Sequence, residues 1–361
     1  MSLPTHMHAV ELIGHGDLDQ LVYRTDRPLP APATDQVLIQ VSACGINNTD
    51  INTRIGWYSK SVSAATDAAV DALGDDTDAT WSGQALSLPR IQGADVCGRI
   101  VATGAQVSDD RIGQRVIART MMADPDGVPN VCWTMGSECD GGFAQFVVVR
   151  ASEVYAVDSA WSDAELASIP CAYSTAENML ERANLGAERV LITGASGGVG
   201  SAAVQLAKRR GANVTAIAGL PKHADLRALG ADAVHDRQAG YTALPESSFD
   251  LVVDVVGGDD LSNLLPLIRV AGRYICAGAI AGPVVDLDLR TLYLKDLTLM
   301  GSTFQPSKVF ENLVGYIERD EIKPLVARTY PLADIHQAQR DFMAKGFTGK
   351  LVLIPPGLAN V

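Results

Sequence analysis

The chain has 361 residues, of which 47% are hydrophobic and 20% charged, and its formal net charge is −13 at pH 7. This length predicts two domains with a substantial core, and the acidic charge excludes nucleic acid as a partner because phosphate binding needs a basic face. No stretch approaches the roughly 18 consecutive apolar residues of a membrane span. Six scattered cysteines are typical of reduced thiols, so we expect a cytoplasmic protein with no membrane partner.

Short alternating apolar runs, broken by Gly, Pro and Asp, fill the chain from residue 7 to about 157. Clear examples are 36–42, 96–102 and 143–149. Alternation of this kind predicts the strands of a twisted, mostly antiparallel sheet. We therefore assign residues 1–157 to the first part of a mostly β domain.

One segment of this region, 61–90, differs from the rest because it contains five Asp and no Lys. An insertion of about thirty residues without a clear element is usually functional or disordered. Two interpretations stay open: a solvated surface helix and loop, or a lid over the active site.

From 158 to 301 the pattern changes to continuous apolar strands that alternate with helices. The strands are 189–193, 213–218, 249–256 and 272–277, and Ser-x-x-Glu capping boxes at 162–165 and 174–177 predict two helix starts. Such a pattern is typical of a parallel sheet covered on both faces. We therefore predict an α/β fold whose second domain, 158–301, is a Rossmann-type doubly wound sheet that binds a dinucleotide.

A glycine-rich turn follows the first of these strands and opens a helix. Glycines here permit a tight turn and let backbone N–H groups approach a pyrophosphate at the helix N-terminus. Because the turn lies within a complete strand–turn–helix–strand unit, the motif is specific. The cofactor-binding residues predicted from it are Gly194, Ser196, Gly197, Gly198, Val199 and Gly200.

The end of the second strand indicates which dinucleotide binds. An NAD site needs an acidic residue there for the ribose 2′-hydroxyl, whereas this strand ends at Gly219 with Lys222 close behind. Arg237 follows the next strand and provides a second cation. These residues favour NADPH over NADH, since cations pair with a 2′-phosphate.

Two further loops and the C-terminal region complete the prediction. Val256, Gly257 and Ala279 follow parallel strands, so we expect them to border the cofactor crevice. Residues 302–361 contain an amphipathic helix around 309–319 and a final strand, 349–354, that returns to the first domain. The run 287–300 ends in an edge strand, which favours a homodimer, although an edge covered within a monomer is the alternative.

These motifs together resemble the medium-chain dehydrogenase/reductase superfamily, and within it the zinc-independent quinone oxidoreductases. The resemblance covers nearly the whole chain, through 41–50, 93–98, 140–149, the glycine turn and 349–353. It implies a GroES-like, mostly β catalytic domain beside the Rossmann domain. Segment 61–90 has no counterpart of this length in the quinone oxidoreductases.

The same resemblance implies that no catalytic zinc is bound. The three ligand positions of the zinc-dependent alcohol dehydrogenases correspond here to Asn47, Ala94 and Cys171. Only the last of these side chains binds a soft metal, and a catalytic zinc takes three protein ligands.

The catalytic candidates also come from the resemblance. Asn47 and Asp50 match the Asn-x-x-Asp turn of the quinone oxidoreductases, Thr49 lies where zinc enzymes place a proton-relay hydroxyl, and Tyr58 matches a pocket tyrosine. Each of two candidates has an alternative interpretation: Asp50 only orients the loop through backbone N–H bonds, and Tyr58 only forms a hydrophobic wall. Thr175, expected at a helix start, corresponds to a residue that contacts the nicotinamide end of the cofactor.

Without a metal, hydrogen-bond donors must stabilise the oxyanion, a task suited to conjugated carbonyls. We therefore expect hydride transfer from NADPH to a quinone or an α,β-unsaturated carbonyl as small-molecule substrate. One alternative is an alcohol dehydrogenase or carbonyl reductase acting on small alcohols or aldehydes. Another is an NADPH-binding protein with little turnover.

Overall fold

The computed structural model describes residues 3–68 and 77–357. Its first part is rich in antiparallel strands, whose alternating side chains bury one face in a core and leave polar residues on the other. These strands are β1 His6–Leu12, β2 Leu21–Pro28, β3 Gln36–Gly45, β4 Arg90–Ile91, β5 Val96–Thr103, β6 Arg115–Ala118, β7 Met121–Met122, β8 Trp133–Thr134, β9 Phe146–Arg150 and β10 Val154–Ala156.

The second part contains the parallel sheet that the apolar runs predict. Its strands are β11 Arg189–Ile192, β12 Asn213–Ala218, β13 Ala233–Asp236, β14 Phe249–Asp254, β15 Ile268–Cys276 and β16 Thr298–Gly301, in the order β13-β12-β11-β14-β15-β16. Every adjacent pair is parallel. This order is that of a doubly wound dinucleotide-binding sheet, which confirms the predicted fold class.

Both faces of the parallel sheet are covered. Alternate strand residues such as Val190 and Ile192 pack into one buried cluster, and their neighbour Leu191 packs into another on the opposite face. The α-helices of the described residues are α1 Asn48–Arg54, α2 Asp163–Leu166, α3 Pro170–Arg182, α4 Gly198–Arg209, α5 His223–Ala228, α6 Leu261–Leu264, α7 Leu289–Leu294, α8 Ser307–Glu318 and α9 Ile335–Ala344.

The C-terminal region rejoins the first part of the chain. The strands β17 Val326–Pro331 and β18 Lys350–Ile354 extend the large sheet in the order β10-β6-β5-β3-β18-β17, and β9 also pairs with β3. Residues Val352 and Leu353 of β18 face Gly45 and Cys44 of β3. The final strand therefore pairs within the large β-rich sheet, and the domain division at 157 and 301 stays a prediction.

Only one of the two predicted capping boxes begins a helix. Ser162 caps α2 and exchanges hydrogen bonds with Glu165, as predicted. The prediction of a helix start at Ser174 is wrong, because α3 already begins at Pro170, whose missing N–H suits a first helical position. In the helix interior, Ser174 donates back to the carbonyl of Cys171, a contact that hydroxyl side chains make readily.

In the described part of the chain, no helix is long and apolar enough to cross a membrane. The cytoplasmic location stays a prediction.

Candidate active site

A cavity of about 530 Å³ lies between the β-rich part and the parallel sheet. Its walls come from α1 and the turn after it, residues 78–83, α3, the first turn of α4 and the loops after β14, β15 and β16. The cavity therefore opens beyond the carboxyl ends of the parallel strands, where dinucleotides bind in doubly wound sheets.

Three of the four predicted catalytic residues, Asn47, Thr49 and Tyr58, line this cavity. Asn47 caps the N-terminus of α1, and Thr49 lies in its first turn. Three predicted cofactor residues, Thr175, Val199 and Ala279, line the cavity from the opposite side. Thr175 lies in the second turn of α3 rather than at a helix start, and its hydroxyl donates to the carbonyl of Cys171.

The fourth predicted catalytic residue, Asp50, does not line the cavity. Its buried carboxylate accepts the backbone N–H of Asn47 at 2.7 Å and that of Gly93 at 3.2 Å. Burial raises the pKa of Asp50 to about 7, against these hydrogen bonds and the nearby Lys350 ammonium. These contacts give Asp50 the geometry of a residue that orients the loop.

A buried ion pair lies directly behind Asn47. Lys350, the first residue of β18, is 3% exposed, and its ammonium donates to Asp95 Oδ2 at 2.8 Å and to Asn47 Oδ1. The Asn47 amide donates in turn to Asp95 Oδ2 at 2.8 Å, and the other Asp95 oxygen accepts the N–H of Cys171. The amide oxygen of Asn47 is therefore bound by a positive charge, and its amide nitrogen is bound by a negative charge.

This arrangement does not fit a catalytic zinc. The three positions that correspond to zinc ligands hold an amide at Asn47, a methyl group at Ala94 and a thiol at Cys171. Burial and then the Asp95 carboxylate raise the pKa of Cys171. This thiol alone does not make a catalytic zinc site, which takes three protein ligands. Among residues 3–68 and 77–357, no group of three or more His, Cys, Asp or Glu could hold a metal ion.

Thr49 and Tyr58 both contact Trp81 on the cavity wall. The indole N–H of Trp81 donates to Thr49 Oγ1 at 2.8 Å, and the rings of Trp81 and Tyr58 lie 5.5 Å apart. Burial raises the pKa of Tyr58, while the neighbouring side chains of Thr49 and Asn52 lower it. The phenol therefore stays protonated and is available as a donor.

The described parts of segment 61–90 contribute to the cavity. Asp78, Thr80, Trp81 and Gly83 line it, and Thr66 bonds to the Ile280 carbonyl across the cleft. These contacts favour the lid interpretation over a solvated surface segment. Residues 69–76 lie outside the described residues.

The glycine turn has the form that a pyrophosphate needs. Gly194 has a positive φ of 55°, and a Cβ on Gly200 would lie 2.2 Å from the Gly194 carbonyl oxygen. Helix α4 begins at Gly198 with Gly197 as its N-cap, so the N–H groups of its first turn have no intrahelical acceptor. Ser196 lies within this turn. These open donors fit a dinucleotide phosphate.

The loop after β14 is held by the buried Asp254 carboxylate. Its Oδ1 atom accepts the N–H groups of Val256 and Gly257, at 2.9 and 3.1 Å, and the Thr193 hydroxyl. The hydroxyl of Tyr274 donates to the other oxygen. Val256 and Gly257 do not line the cavity itself, but their loop packs against Gly194 of the turn.

Cations gather beyond the end of β12. Gly219 caps the short turn that leads to Lys222, whose ammonium donates to the carbonyl of Lys345. Burial and then the Arg237 charge lower the pKa of Lys222, and desolvation and then the Lys222 charge lower the pKa of Lys345 to about 8. Positive charges that repel one another in this way fit a phosphate group.

Three residues of this site were missed from the sequence: Lys350, Lys345 and Trp81. Lys350 had a detectable signal, a charge at the start of the otherwise apolar strand 350–354. Lys345 and Trp81 had none, because their contacts depend on how the C-terminal loop and segment 61–90 fold over the site.

The arrangement of a doubly wound sheet, a second β-rich unit and a cavity between them defines a dinucleotide-dependent oxidoreductase. Residues 33–159 match the alcohol dehydrogenase GroES-like domain, and residues 198–319 match the zinc-binding dehydrogenase domain. The chain belongs to the medium-chain dehydrogenase/reductase superfamily.

Individual relatives cover almost the whole chain. A putative alcohol dehydrogenase from Sinorhizobium meliloti 1021 is 46% identical, with a TM-score of 0.87 and 98% of both chains covered. The quinone oxidoreductase of Mus musculus is 28% identical over 96% of this chain and 98% of its own length. A cobalt- and zinc-bound thermostable alcohol dehydrogenase from Pyrobaculum aerophilum is 28% identical, with a TM-score of 0.81 and coverage of 97% and 99%.

Proposed function

We propose that this protein is a zinc-independent, NADPH-dependent reductase of quinones or α,β-unsaturated carbonyl compounds. The observation that carries the proposal is the Lys350–Asp95–Asn47 cluster, which puts a buried ammonium among the positions where zinc enzymes bind their metal. An ammonium that is already paired there opposes a divalent cation. The similarity to quinone oxidoreductases supports the same assignment.

In this proposal the cavity residues stabilise the negative charge that develops on the carbonyl oxygen of the acceptor. NADPH, when bound, supplies the hydride. Thr49 and Tyr58 are the hydroxyl donors on the cavity wall, and Asn47 is fixed between the ammonium and the carboxylate behind it. Conjugation spreads charge away from the oxygen, so neutral donors are sufficient where a simple ketone needs a stronger electrophile.

NADPH is the proposed cofactor rather than NADH. The glycine turn fits the pyrophosphate, whereas Gly219 lacks the carboxylate that would hold a free ribose 2′-hydroxyl. Lys222 and Arg237, together with Lys345, provide the charge for a 2′-phosphate. Thr175, Val199 and Ala279 border the nicotinamide end.

We also propose that the protein forms a homodimer through the edge of the parallel sheet. Strand β16 lies at one end of this sheet, and the segment before it exposes Val284, Leu289, Tyr293 and Leu294. An apolar patch beside an unpaired strand is suited to pairing with a second copy.

The second candidate function is an alcohol dehydrogenase or carbonyl reductase of small substrates. It is favoured by the 46% identity to a putative alcohol dehydrogenase. A protein that binds NADPH with little turnover is the third.

A panel of acceptors separates these functions. Oxidation of NADPH and NADH would be followed with quinones, enones and simple aldehydes, and NADPH binding would be measured on the same preparation. The proposal expects NADPH oxidation with quinones or enones and little with aldehydes. Preferential reduction of aldehydes would support the second function. Tight binding of NADPH without its oxidation would support the third function. Either result would contradict the proposal.

A further inference from the structure

Asp254 differs from the other buried carboxylates of the described residues because no cation pairs with it. These buried carboxylates are Glu11, Asp50, Asp95, Glu153, Glu177 and Asp254. Four of the other five pair with a lysine or an arginine, and Asp50 lies near the Lys350 ammonium. Asp254 is only 1% exposed, and it forms no ion pair in the part of the chain that the structure describes. A buried charge without an opposite charge is destabilising unless other groups stabilise it.

Four hydrogen-bond donors surround the Asp254 carboxylate. The N–H groups of Val256 and Gly257 donate to Oδ1 at 2.9 and 3.1 Å, and the Tyr274 hydroxyl donates to Oδ2 at 2.6 Å. Thr193 Oγ1 accepts a backbone N–H of the same loop at 3.2 Å and donates its own proton to Oδ1 at 2.5 Å. Burial and then the Asp254 charge raise the pKa of Tyr274, so the phenol keeps its proton. Because all four contacts are donors, a protonated acid would find no acceptor, and the carboxylate is negatively charged.

This carboxylate lies beside the dinucleotide crevice. Asp254 is the last residue of β14, and the next residue, Val255, lines the cavity together with Ala277 after β15 and Ser302 after β16. Its partner Thr193 follows β11 and directly precedes the glycine turn. In a doubly wound sheet the pyrophosphate binds at the turn after the first strand, and the dinucleotide then crosses to the second half of the sheet. Asp254 therefore puts a negative charge on the nicotinamide side of the crevice.

We propose that Asp254 stabilises the positive charge of the oxidised nicotinamide ring and thereby favours hydride release from NADPH. When a hydride passes from the dihydronicotinamide ring to the acceptor, the ring loses two electrons and gains one positive charge, while the acceptor gains one negative charge. A fixed carboxylate in a site shielded from water lowers the energy of the ring cation. The four donors hold this charge in place without cancelling it, because none of them is a cation. This role rests on the proposed reductase function.

The first test compares the binding of NADP⁺ and NADPH by calorimetry. Asp254→Asn removes the charge at nearly constant size, and its amide oxygen can still accept the backbone N–H groups. The variant is expected to raise the ratio of Kd for NADP⁺ to Kd for NADPH about tenfold. For a two-electron couple this corresponds to about 30 mV in the potential of the bound cofactor. 2′-Phospho-ADP-ribose, which has no nicotinamide, should bind the variant and the unmodified protein equally.

Asp250 provides a matched control in the same strand. It lies four residues earlier, near the amino end of β14 and roughly 13 Å from Asp254, and it pairs with Arg269. Asp250→Asn makes the same change of charge and is expected to leave the Kd ratio unchanged. Three results would overturn the proposal: an unchanged ratio in Asp254→Asn, the same rise in Asp250→Asn, or an equal loss of affinity for all three ligands, which indicates a loosened loop.

A second variant tests the same charge in the opposite direction. Tyr274→Phe keeps the Asp254 carboxylate and removes one of its donors, so the negative charge is less shielded. The ratio of Kd for NADP⁺ to Kd for NADPH is expected to fall about twofold. An unchanged or raised ratio would overturn the proposal, even if Asp254→Asn did not fold.

These binding measurements need no acceptor, so they separate this proposal from the proposed function. If no acceptor were reduced, the reductase assignment would fail. The changes in the Kd ratio would then still support the role of Asp254, and their absence would still overturn it. If NADH were the tighter ligand, the ratio for NAD⁺ and NADH would give the same test.

Discussion

Lys350 is the residue on which the proposed chemistry of the site most depends. Its ammonium pairs with Asp95, which is 255 residues away in the chain, and holds the Asn47 amide at the cavity wall. The strand 350–354 could be predicted from its apolar run, but the partner of its first side chain could not. Pairing between such distant residues follows from the fold, because β18 crosses back beside β3.

The buried pair predicts an unequal response to two lysine substitutions. Lys350→Met leaves the buried Asp95 carboxylate without an opposite charge and is expected to lower the free energy of unfolding by about 3–5 kcal/mol. Lys208→Met breaks a partly exposed pair with Asp232 of similar length and is expected to cost less than about 1 kcal/mol. Urea unfolding measures both. A Lys350→Met, Asp95→Asn double variant should recover most of the lost stability. Equal losses of unfolding free energy in the two single lysine variants would contradict the role of the buried pair.

Gly219 is the residue that selects the cofactor in this account. Among the described residues, a Cβ placed there meets only Pro221 Cδ, at 4.0 Å, so a side chain fits without strain. The Gly219→Asp variant is expected to lower the ratio of kcat/KM for NADPH to that for NADH at least about tenfold, because a carboxylate binds the ribose 2′-hydroxyl and repels the phosphate. The neutral variant Gly219→Asn controls for size; equal ratios in the two variants would exclude a charge effect.

At the scale of elements, periodicity predicted the parallel strands and the glycine turn because these are local patterns. The start of α3 was misassigned, since Ser-x-x-Glu also occurs inside a helix. Inside α3, the buried Glu177 carboxylate pairs with the Arg210 guanidinium at 2.6 Å instead of capping the helix. The walls of the cavity were harder to predict because they come from loops of different elements, segment 61–90 among them.

The loop between α9 and β18 carries a prediction of pH dependence. Lys345 has a pKa of about 8 in the free protein, so its ammonium is present below this pH and is lost above it. A bound 2′-phosphate favours the charged form, and NADPH affinity should therefore fall as the pH rises through 8. Fluorescence titrations from pH 7 to 9.5 measure this. NADH affinity should change less, and Lys345→Met should flatten the NADPH profile; parallel profiles for the two dinucleotides would contradict the role.

At the scale of the whole molecule, length predicted two domains, composition predicted a globular protein, and the motifs indicated the superfamily. The substrate class does not follow from the fold, since one superfamily supports both metal-dependent and metal-free chemistry. In the proposed function it depends on a few side chains, chiefly Asn47, Ala94 and Lys350. The role of these side chains can be recognised only in the folded structure, because it brings together residues from both ends of the chain.

The proposed dimer is also a property of the whole molecule. The Leu294→Asp substitution puts a charge on the apolar patch beside β16, where Leu294 is 69% exposed. Light scattering should give twice the chain mass of 38.1 kDa for the unmodified protein and a single chain mass for the variant. The control Ile112→Asp, at an exposed apolar residue of the β-rich part, should remain a dimer. A monomeric unmodified protein would refute this interface.

The central claim is hydride transfer to a conjugated acceptor without a metal. The most direct measurement follows deuterium from C4-labelled NADPH into the product of a cyclic enone, with zinc quantified on the same protein, purified without chelator. The account predicts far less than one zinc per chain and deuterium at the β-carbon of the product. One zinc per chain whose removal abolishes turnover, or deuterium at the carbonyl carbon, would contradict it.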